Sequence, residues 1–238
     1  MRRFFGRIEE KVAVIEGDEF VHLKTVLRGK IGENIVVLDR SQYEFVCEIQ
    51  KMGKNEAICL VKEKNLCPAL PKKNIVLFQA LIKRDKMEEV ISKTVELGVS
   101  KIVPFESEFC TVKPNENKKD RMEKLVLTAC KQCERSIPME VEEAKSFSAT
   151  IEEIKAFCQK QDSIVLFANE RCEEEFDFST LKNKTNIAIV VGCEGGFSQK
   201  EKDMLQAVAT PLSLGKRILR AETAALLLCG MASVHSGN

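Results

Sequence analysis

Two glycine-bearing segments near the C-terminal end of the sequence have residue types suited to holding a small ligand. The first, Gly192-Cys-Glu-Gly-Gly-Phe-Ser198, follows the apolar, β-branched run at residues 187–191, which is typical of a strand buried on both faces. Glycine lets the backbone turn sharply and lets a ligand approach without a Cβ in the way. In the second, Leu212-Ser-Leu-Gly215, the glycine again follows a short apolar run. We expect the two turns to lie on neighbouring strands and to form one pocket.

The glycines follow neither of the common phosphate-binding patterns. The chain has no Gly-x-Gly-x-x-Gly and no Gly-x-x-x-x-Gly-Lys-Ser/Thr, so a dinucleotide or a nucleoside triphosphate is disfavoured as the ligand. Glycine-rich turns also occur after strands for packing reasons, so the glycines alone do not decide between a ligand site and a structural turn. Ser198 and Glu201 have the spacing of a capping box, which predicts that a helix begins just beyond the first turn.

The elements that must position these turns alternate between strand and helix patterns. Strands are predicted at residues 75–82, 101–105, 163–168 and 187–191, and helices at 84–97, 117–135, 147–161 and 219–235. This alternation predicts a mostly parallel sheet with helices on both faces, which is an α/β fold. In such sheets, a buried strand that runs into a glycine-rich turn and then a helix is the usual place for a ligand.

The first 66 residues predict a smaller, β-rich domain. Strand patterns cover residues 3–8, 34–39, 43–50 and 57–61, and a helix is predicted at 19–28, with Asp18 as its N-cap and Gly29 as its stop. Several short strands with one helix indicate a compact barrel. Two prolines and flanking lysines between residues 65 and 73 indicate a semi-rigid linker. We therefore predict two domains, at residues 1–66 and 74–238.

The composition, with 44% hydrophobic and 31% charged residues over 238 positions, is that of an ordinary soluble protein. No stretch approaches the ~20 apolar residues that span a bilayer, and the basic start lacks the apolar run of a signal peptide, so a cytoplasmic location is expected. The ten cysteines are expected to be reduced and mostly buried. Cys130-Lys-Gln-Cys133 has no second pair to complete a zinc site, and no metal is predicted.

The net charge of +1 counts against a nucleic-acid-binding protein, since many of these carry a strongly basic domain. Basic residues nevertheless cluster locally. The clusters are Arg2, Arg3 and Arg7; Lys83, Arg84 and Lys86; and Lys113, Lys118, Lys119, Arg121 and Lys124. Such clusters are either solvated surface or, if the fold gathers them on one side, a surface that follows a phosphate backbone.

Taken together, Gly192-Cys-Glu-Gly-Gly-Phe-Ser198 and Leu214-Gly-Lys-Arg-Ile-Leu-Arg-Ala-Glu-Thr-Ala224 closely resemble the signature of the RsmE family of SPOUT methyltransferases. The resemblance covers essentially the whole chain and includes Arg3-Phe-Phe5 and His22-Leu-Lys-Thr-Val-Leu-Arg28 in the first domain. The sequence departs from the family at Cys193, where proline is usual, and at Phe109, where an arginine is common.

The resemblance implies a PUA-like RNA-binding β-barrel domain followed by a SPOUT-type methyltransferase domain with a C-terminal trefoil knot. It implies an enzyme that uses S-adenosyl-L-methionine to methylate N3 of a uridine in 16S ribosomal RNA of the small ribosomal subunit. It also favours a homodimer, with the apolar helix at residues 219–235 at the interface. Neither periodicity nor spacing predicts the knot or the dimer.

The resemblance also implies roles for individual residues. Cofactor binding falls to Gly192, Glu194, Gly195, Gly196, Leu214, Gly215, Ile218, Leu219 and Ala224, and RNA binding to Arg2, Arg3, Arg28, Lys83, Lys86, Lys113 and Arg135. Since uridine N3 carries a proton at neutral pH, Arg220 is expected to stabilise the developing anion and Glu222 to act as an orienter or weak base. Alternatively, Arg220 and Glu222 simply pair with one another at a helix terminus. We expect valine at Gly195 to place a side chain where the cofactor sits.

Two other functions stay open on the sequence. A related SPOUT enzyme could methylate a ribose 2′-hydroxyl instead of a base. The chain could also be a non-catalytic RNA-binding protein of ribosome assembly, in which the ligand turns are vestigial.

Overall fold

The computed structural model describes residues 1–113, 119–172 and 176–237, and the chain divides into two compact units. The first unit comprises Met1–Leu70 and Leu127–Pro138, and the second comprises Pro71–Val126 and Met139–Asn238. The predicted division assigned Leu127–Pro138 to the second domain, whereas in the structure this segment belongs to the first unit. This segment is joined to the N-terminal strands by ion pairs such as Arg3 with Glu134, at 2.8 Å, which no local pattern reveals.

The first unit is built on a curled sheet. Its strands are β1 (Arg3–Phe5), β2 (Arg7–Glu9), β3 (Val12–Glu16), β4 (Asn34–Leu38), β5 (Tyr43–Met52) and β6 (Glu56–Leu66), in the spatial order β1-β4-β5-β6-β3-β2. The two edge strands are therefore consecutive in the chain, joined by Gly6 alone. A Cβ on Gly6 would lie 2.7 Å from the Val14 carbonyl oxygen, so glycine is required where the chain passes from one edge to the other. The strand predicted at residues 3–8 is in fact two strands.

The helix predicted at residues 19–28 begins and ends two residues earlier. Helix α1 (Gly17–Val21) continues as a single π-helical turn, His22–Val26. The prediction of Asp18 as N-cap is wrong, because Glu16 occupies that position and makes no side-chain capping bond. Arg28 adopts a left-handed conformation, with φ of 50°. The chain therefore leaves the helix before Gly29.

The second unit contains the predicted parallel sheet. Its strands are β7 (Asn74–Ala80), β8 (Lys101–Glu106), β9 (Glu140–Val141), β10 (Lys145–Ser146), β11 (Ser163–Ala168), β12 (Asn186–Val191) and β13 (Thr210–Leu212). Among the described residues the order is β10-β8-β7-β12-β11-β13, with β9 also paired to β8, and every pairing is parallel. The central strands β7 and β12 are apolar and almost fully buried. Their carboxyl ends, and those of β11 and β13, point to the same edge of the sheet.

Helices follow the strands as predicted, with ends shifted by a few residues. They are α2 (Arg84–Glu96), α3 (Lys119–Cys133), α4 (Phe147–Cys158), α5 (Gln199–Gln206) and α6 (Ala221–Ser236). The start predicted for α3, Asn117, lies outside the described residues. Helix α6 packs against α2, β7 and β12, which buries Ala225, Leu228 and Ala232. It ends at Gly237, whose φ of 75° is the left-handed stop that glycine provides.

None of the described helices is both long and apolar enough to cross a membrane.

Candidate functional site

The two glycine turns line one cavity of about 850 Å³ at the carboxyl ends of the parallel strands. Gly192, Gly195 and Gly196 come from the turn after β12, and Leu214 and Gly215 come from the turn after β13. A volume of this size is within the range of ~300–1,000 Å³ that small ligands and cofactors occupy. The turns therefore enclose a space large enough for a cofactor-sized molecule.

The structure gathers every residue to which the sequence assigned cofactor binding or catalysis. Those that line the cavity are Gly192, Glu194, Gly195, Gly196, Leu214, Gly215, Ile218, Leu219, Arg220, Glu222 and Ala224, together with Lys83 and Lys86 from the RNA-binding set. Lys83 and Lys86 lie at the start of α2, which follows β7. The sequence predicted that these two lysines bind RNA, and in the structure both line the same cavity as the predicted cofactor-binding residues.

The first turn is fixed to the sheet by a buried amide. Gln79, in β7, lies beside Val191 of β12 and is fully buried. Its Nε2 donates hydrogen bonds to the carbonyls of Gly192, at 3.2 Å, and Ala80, at 3.0 Å. These hydrogen bonds fix the direction of the backbone at Gly192, where the chain leaves β12. Sequence reasoning missed Gln79, although a polar residue at the end of an apolar strand is a signal worth noting.

Phe197 anchors the other end of the turn in the core. Its ring is parallel to that of Phe105 at a centroid distance of 6.4 Å and edge-on to that of Phe167 at 6.4 Å. The turn itself closes through the Gly196 N–H, which donates to the Cys193 carbonyl at 2.9 Å. Gly196 has a φ of 70° and would be strained as any other residue. The turn is thus held rigidly at both ends.

The predicted capping box begins α5 directly after this turn. Ser198 Oγ accepts from the Glu201 N–H at 3.3 Å, and the Glu201 carboxylate accepts from the Ser198 N–H at 2.9 Å. The second Glu201 oxygen accepts from the N–H of Glu108 at 2.8 Å. Glu108 lies in the turn that follows β8, so the cap also ties that turn to the glycine segment.

The structure corrects the reason given for glycine at position 195. A Cβ built on Gly195 would lie 2.7 Å from the Cβ of Phe109. It would meet the turn after β8 and not the space reserved for a ligand. Gly195 is therefore required for the close approach of two turns, which shapes the cavity wall.

The second turn uses a left-handed glycine. Gly215 has a φ of 100°, and its carbonyl accepts a hydrogen bond from Ser213 Oγ at 3.2 Å. The strand before it is joined to β11 through the Asn169 N–H, which donates to the Leu212 carbonyl at 2.9 Å. Ile218, just beyond the turn, is 85% exposed although it borders the cavity. A large apolar side chain left open there is suited to contact with an apolar part of a ligand.

The charges around the cavity are arranged differently from the predicted alternative of an Arg220–Glu222 pair. Glu222 is buried and lies 3.6 Å from the ammonium of Lys86. Lys86 also donates to Glu89 at 3.0 Å, and this hydrogen bond is the main reason that its pKa lies above the ordinary value, with a smaller contribution from Glu222. Arg220 is exposed and has no ion pair within the described part of the chain. Its guanidinium is available to a ligand.

Several residues that line the cavity were not singled out from the sequence. They are Asp85, Thr111, Ala168, Asn169, Glu170 and Arg217. Asn169 and Glu170 directly follow β11, the strand between β12 and β13. Because parallel strands end at the same edge, residues just after a neighbouring strand are a signal that could have found them.

The remaining residues predicted to bind RNA do not line this cavity. Arg2, Arg3, Arg28 and Arg135 belong to the first unit, and Lys113 is exposed and pairs with Glu106. Arg135 is only 3% exposed, its Nε donates to the Ile137 carbonyl at 2.6 Å, and burial lowers its pKa. Arg3 pairs with Glu44 and Glu134. Arg3 and Arg135 are therefore held by contacts within the protein, whereas Arg2 and Arg28 are exposed to solvent.

Comparison with family models finds two matches. Residues 69–233 match a family described as an RNA methyltransferase domain, and residues 15–62 match one described as an RNA methyltransferase PUA domain. The first match alone covers more than half of the chain.

Individual proteins resemble the whole chain. It is 34% identical to the ribosomal RNA small subunit methyltransferase E of Rickettsia conorii, over 89% of this chain and 85% of that protein. It is 30% identical to the protein of the same name from Bacillus subtilis, over 95% and 93%. A crystal structure of ribosomal RNA small subunit methyltransferase E from Neisseria gonorrhoeae, bound to S-adenosyl methionine, superposes with a TM-score of 0.85 at 25% identity, over 98% of this chain and 97% of that one.

Proposed function

The chain belongs to the ribosomal RNA small subunit methyltransferase E family, and on that premise we propose that it transfers a methyl group from S-adenosylmethionine to N3 of a uridine in small-subunit ribosomal RNA. The observation that carries the proposal is the cavity that the two glycine turns share, with Arg220 at its rim and no ion pair to that arginine among the residues that the structure describes. The cavity suits the methyl donor, and the arginine suits a base that must lose a proton.

The residues present fit the cofactor. The turns at residues 192–196 and 214–215 offer backbone N–H and C=O groups, which can read the polar edges of an adenosyl group without charged side chains. Leu214, Ile218 and Leu219 offer apolar surface for the adenine ring. A ring that packs there would cover the side chain of Ile218, which is otherwise exposed. S-adenosylmethionine supplies a methyl group on a positively charged sulfur, which is already a good leaving group.

The chain's own residues then have to orient the base and manage its charge. Bringing N3 into line with the methyl group is a proximity effect that contributes several kcal/mol to catalysis in favourable cases. Loss of the N3 proton to water leaves a negative charge on the imide, and we assign Arg220, which lines the cavity, the role of stabilising that charge. Glu222 is buried against Lys86, so we assign it the role of orienting that lysine instead of removing the proton.

RNA would reach the cavity over its basic rim. Lys83, Arg217 and Arg220 all line it, and none has an ion pair within residues 1–113, 119–172 and 176–237. Free cations at one edge can contact phosphates even though the net charge of the chain is only +1. A base that reaches N3 into this cavity must be unpaired or flipped out of a helix.

We also propose that two chains pair through α6 and that the enzyme acts in the cytoplasm, where small subunits are assembled. Support for pairing comes from α6 itself, where Leu227 is 43% and Val234 is 77% exposed on a helix with little polar surface. The trefoil knot that the sequence resemblance implies stays a prediction.

The decisive experiment uses small ribosomal subunits from a strain that lacks the gene. Purified protein and S-adenosylmethionine should add one methyl group per subunit, and mass spectrometry of the digested RNA should place it on the base of a uridine. A methyl on N3 also blocks the pairing edge and stops reverse transcriptase, whereas a ribose methyl does not alter that edge. A methylated ribose would favour the 2′-hydroxyl alternative. Failure of the folded protein to bind S-adenosylmethionine in calorimetry would favour the non-catalytic alternative.

A further inference from the structure

Two cysteines from separate turns meet at the wall of the cavity. Cys110 belongs to the turn after β8, and Cys193 belongs to the glycine turn after β12. The hydroxyl of Ser107, which is buried, lies 3.3 Å from the Cys110 sulfur and donates to the Cys193 sulfur at 3.6 Å. The turn after β8 reaches this point by passing the end of β7, where the Cys110 thiol lies 3.3 Å from the Leu81 carbonyl.

The two turns are held together independently of the thiols. The Phe109 side chain packs on Gly195, and the Glu108 N–H donates to Glu201 at 2.8 Å. The sulfurs therefore stay close as a consequence of the fold. Cys193 is only 5% exposed, but it lines the cavity, so a molecule as small as a peroxide can reach it from there.

The pair is chemically asymmetric. A hydrogen bond from Cys110, reinforced by the one from Ser107, lowers the pKa of the Cys193 thiol to about 6 despite its burial. The same contact, together with burial, raises the pKa of Cys110. The opposite directions of the two shifts make Cys193 the thiol that loses its proton more readily and Cys110 the one that keeps it, which is the arrangement of an attacking and a resolving cysteine.

We propose that Cys193 and Cys110 form a site of reversible oxidation, at which a peroxide converts the two thiols to a disulfide that deforms the cofactor cavity. This role is separate from methyl transfer, although its effect on cofactor binding rests on the proposed function. The family resemblance cannot supply it, because proline is usual at position 193.

The reaction balances with hydrogen peroxide as the oxidant. The Cys193 thiolate attacks one peroxide oxygen, so that an S–O bond forms, the O–O bond breaks, and the departing hydroxide takes a proton to become water. The Cys110 sulfur then attacks the sulfenic sulfur of Cys193. An S–S bond forms, the S–O bond breaks, and the hydroxide leaves as a second water with the Cys110 proton. Two thiols are oxidised and one peroxide is reduced, and a dithiol reverses the change.

The disulfide would alter the shape of the cavity wall. An S–S bond is ~2.0 Å long, which is much shorter than the gap between two thiols in hydrogen-bond contact, and the oxygen of the Ser107 hydroxyl now lies 3.3 and 3.6 Å from the two sulfurs. Closing that gap draws Cys193 towards Cys110. Since the Cys193 carbonyl holds the Gly196 N–H at 2.9 Å, the glycine turn must move with it, and the affinity for the cofactor should fall.

The test uses the full-length protein, treated with equimolar hydrogen peroxide, alkylated and digested. Mass spectrometry should find a peptide pair linked through Cys110 and Cys193, which disappears after dithiothreitol. Calorimetry with S-adenosylmethionine should show an affinity about tenfold lower after oxidation, a change typical of coupled sites, and restored by the dithiol. Cys110→Ser should bind the cofactor normally when reduced, resist the loss, and yield a sulfenic acid at Cys193 that dimedone traps.

Cys133→Ser, at a half-buried cysteine outside the cavity, is the matched control and should behave as the wild type. Absence of the linked peptide, linkage through other cysteines, or an equal loss of affinity in Cys110→Ser would overturn the proposal. If the reduced protein fails to bind S-adenosylmethionine yet still forms the linked peptide, the proposed function is wrong and the oxidation site stands.

Discussion

The carboxylate of Glu222 lies 3.6 Å from the ammonium of Lys86 and is not paired with Arg220, two residues earlier in the chain. Arg220 is the N-cap of α6 and has an extended backbone, with φ of −67° and ψ of 153°. Glu222 lies in the first helical turn and is directed against α2. Arg220 itself lines the cavity and forms no ion pair with any residue in the described part of the chain.

Replacement of Arg220 should therefore impair the chemical step. We expect Arg220→Ala to lower kcat by ~100-fold, the usual cost of removing one donor that stabilises a developing anion, while the affinity for S-adenosylmethionine changes little. Single-turnover methylation of small subunits and calorimetry measure the two quantities. Lys216→Ala is the control, because Lys216 is exposed and does not line the cavity. An Arg220→Ala enzyme with normal kcat would remove Arg220 from the mechanism.

Lys86 and Glu222 should behave as a unit. Lys86→Met and Glu222→Gln are each expected to reduce methylation, since each breaks the contact that fixes the other. The double variant should lose no more activity than the worse single variant, because residues in direct contact are not additive. A double-mutant cycle on kcat/KM provides the measurement. Strictly additive losses would show that the two side chains act separately.

Alanine at Gly195 should weaken cofactor binding through Phe109. The added Cβ would approach the Phe109 Cβ to 2.7 Å, so the two turns must separate and the cavity wall must shift. The second substitution Phe109→Gly removes the clashing atom and should restore most of the affinity measured by calorimetry. If the double variant binds as poorly as Gly195→Ala alone, the new methyl group points into the ligand space, as the sequence had suggested.

The pH dependence of stability should show the contribution of Glu142, far from the cavity. Burial alone would raise its pKa, but hydrogen bonds from Lys101 and Lys145 outweigh burial and lower it. A carboxyl group whose pKa is lowered by folding stabilises the protein above its ordinary pKa of 4.5, and this contribution is lost as the pH falls below that value. Glu142→Gln should thus reduce the free energy of unfolding at pH 7 by about 1 kcal/mol.

The difference between Glu142→Gln and the wild type should shrink as the pH is lowered from 5 towards ~3, because the wild-type carboxylate then becomes protonated. Urea denaturation at several pH values provides the measurement. Glu152→Gln is the control, since the Glu152 side chain is 71% exposed and its loss should not change the midpoint. A difference that persists unchanged in acid would mean that packing, and not charge, accounts for the effect.

Sequence patterns sufficed where the interactions are local. The capping box of Ser198 and Glu201 depends on residues three apart, and the buried strand at residues 187–191 on a continuous apolar run, so both were predicted and both are observed. The ends of helices were predicted less accurately, because a side chain that could cap a helix can also form hydrogen bonds with other groups. Asp18 was predicted as an N-cap, but the helix begins two residues earlier, after Glu16.

The sequence by itself determined the alternation of strands and helices, the parallel sheet and the two glycine turns, because these follow from residue spacing and backbone freedom. The tertiary structure alone decided which distant residues meet: Gln79 with Gly192, Phe109 with Gly195, and Lys86 with Glu222. Each of these contacts joins a residue in or after one strand to a residue that follows another strand. They depend on the spatial order β8-β7-β12-β11-β13, and no local pattern encodes that order, because it is set by the packing of the whole sheet.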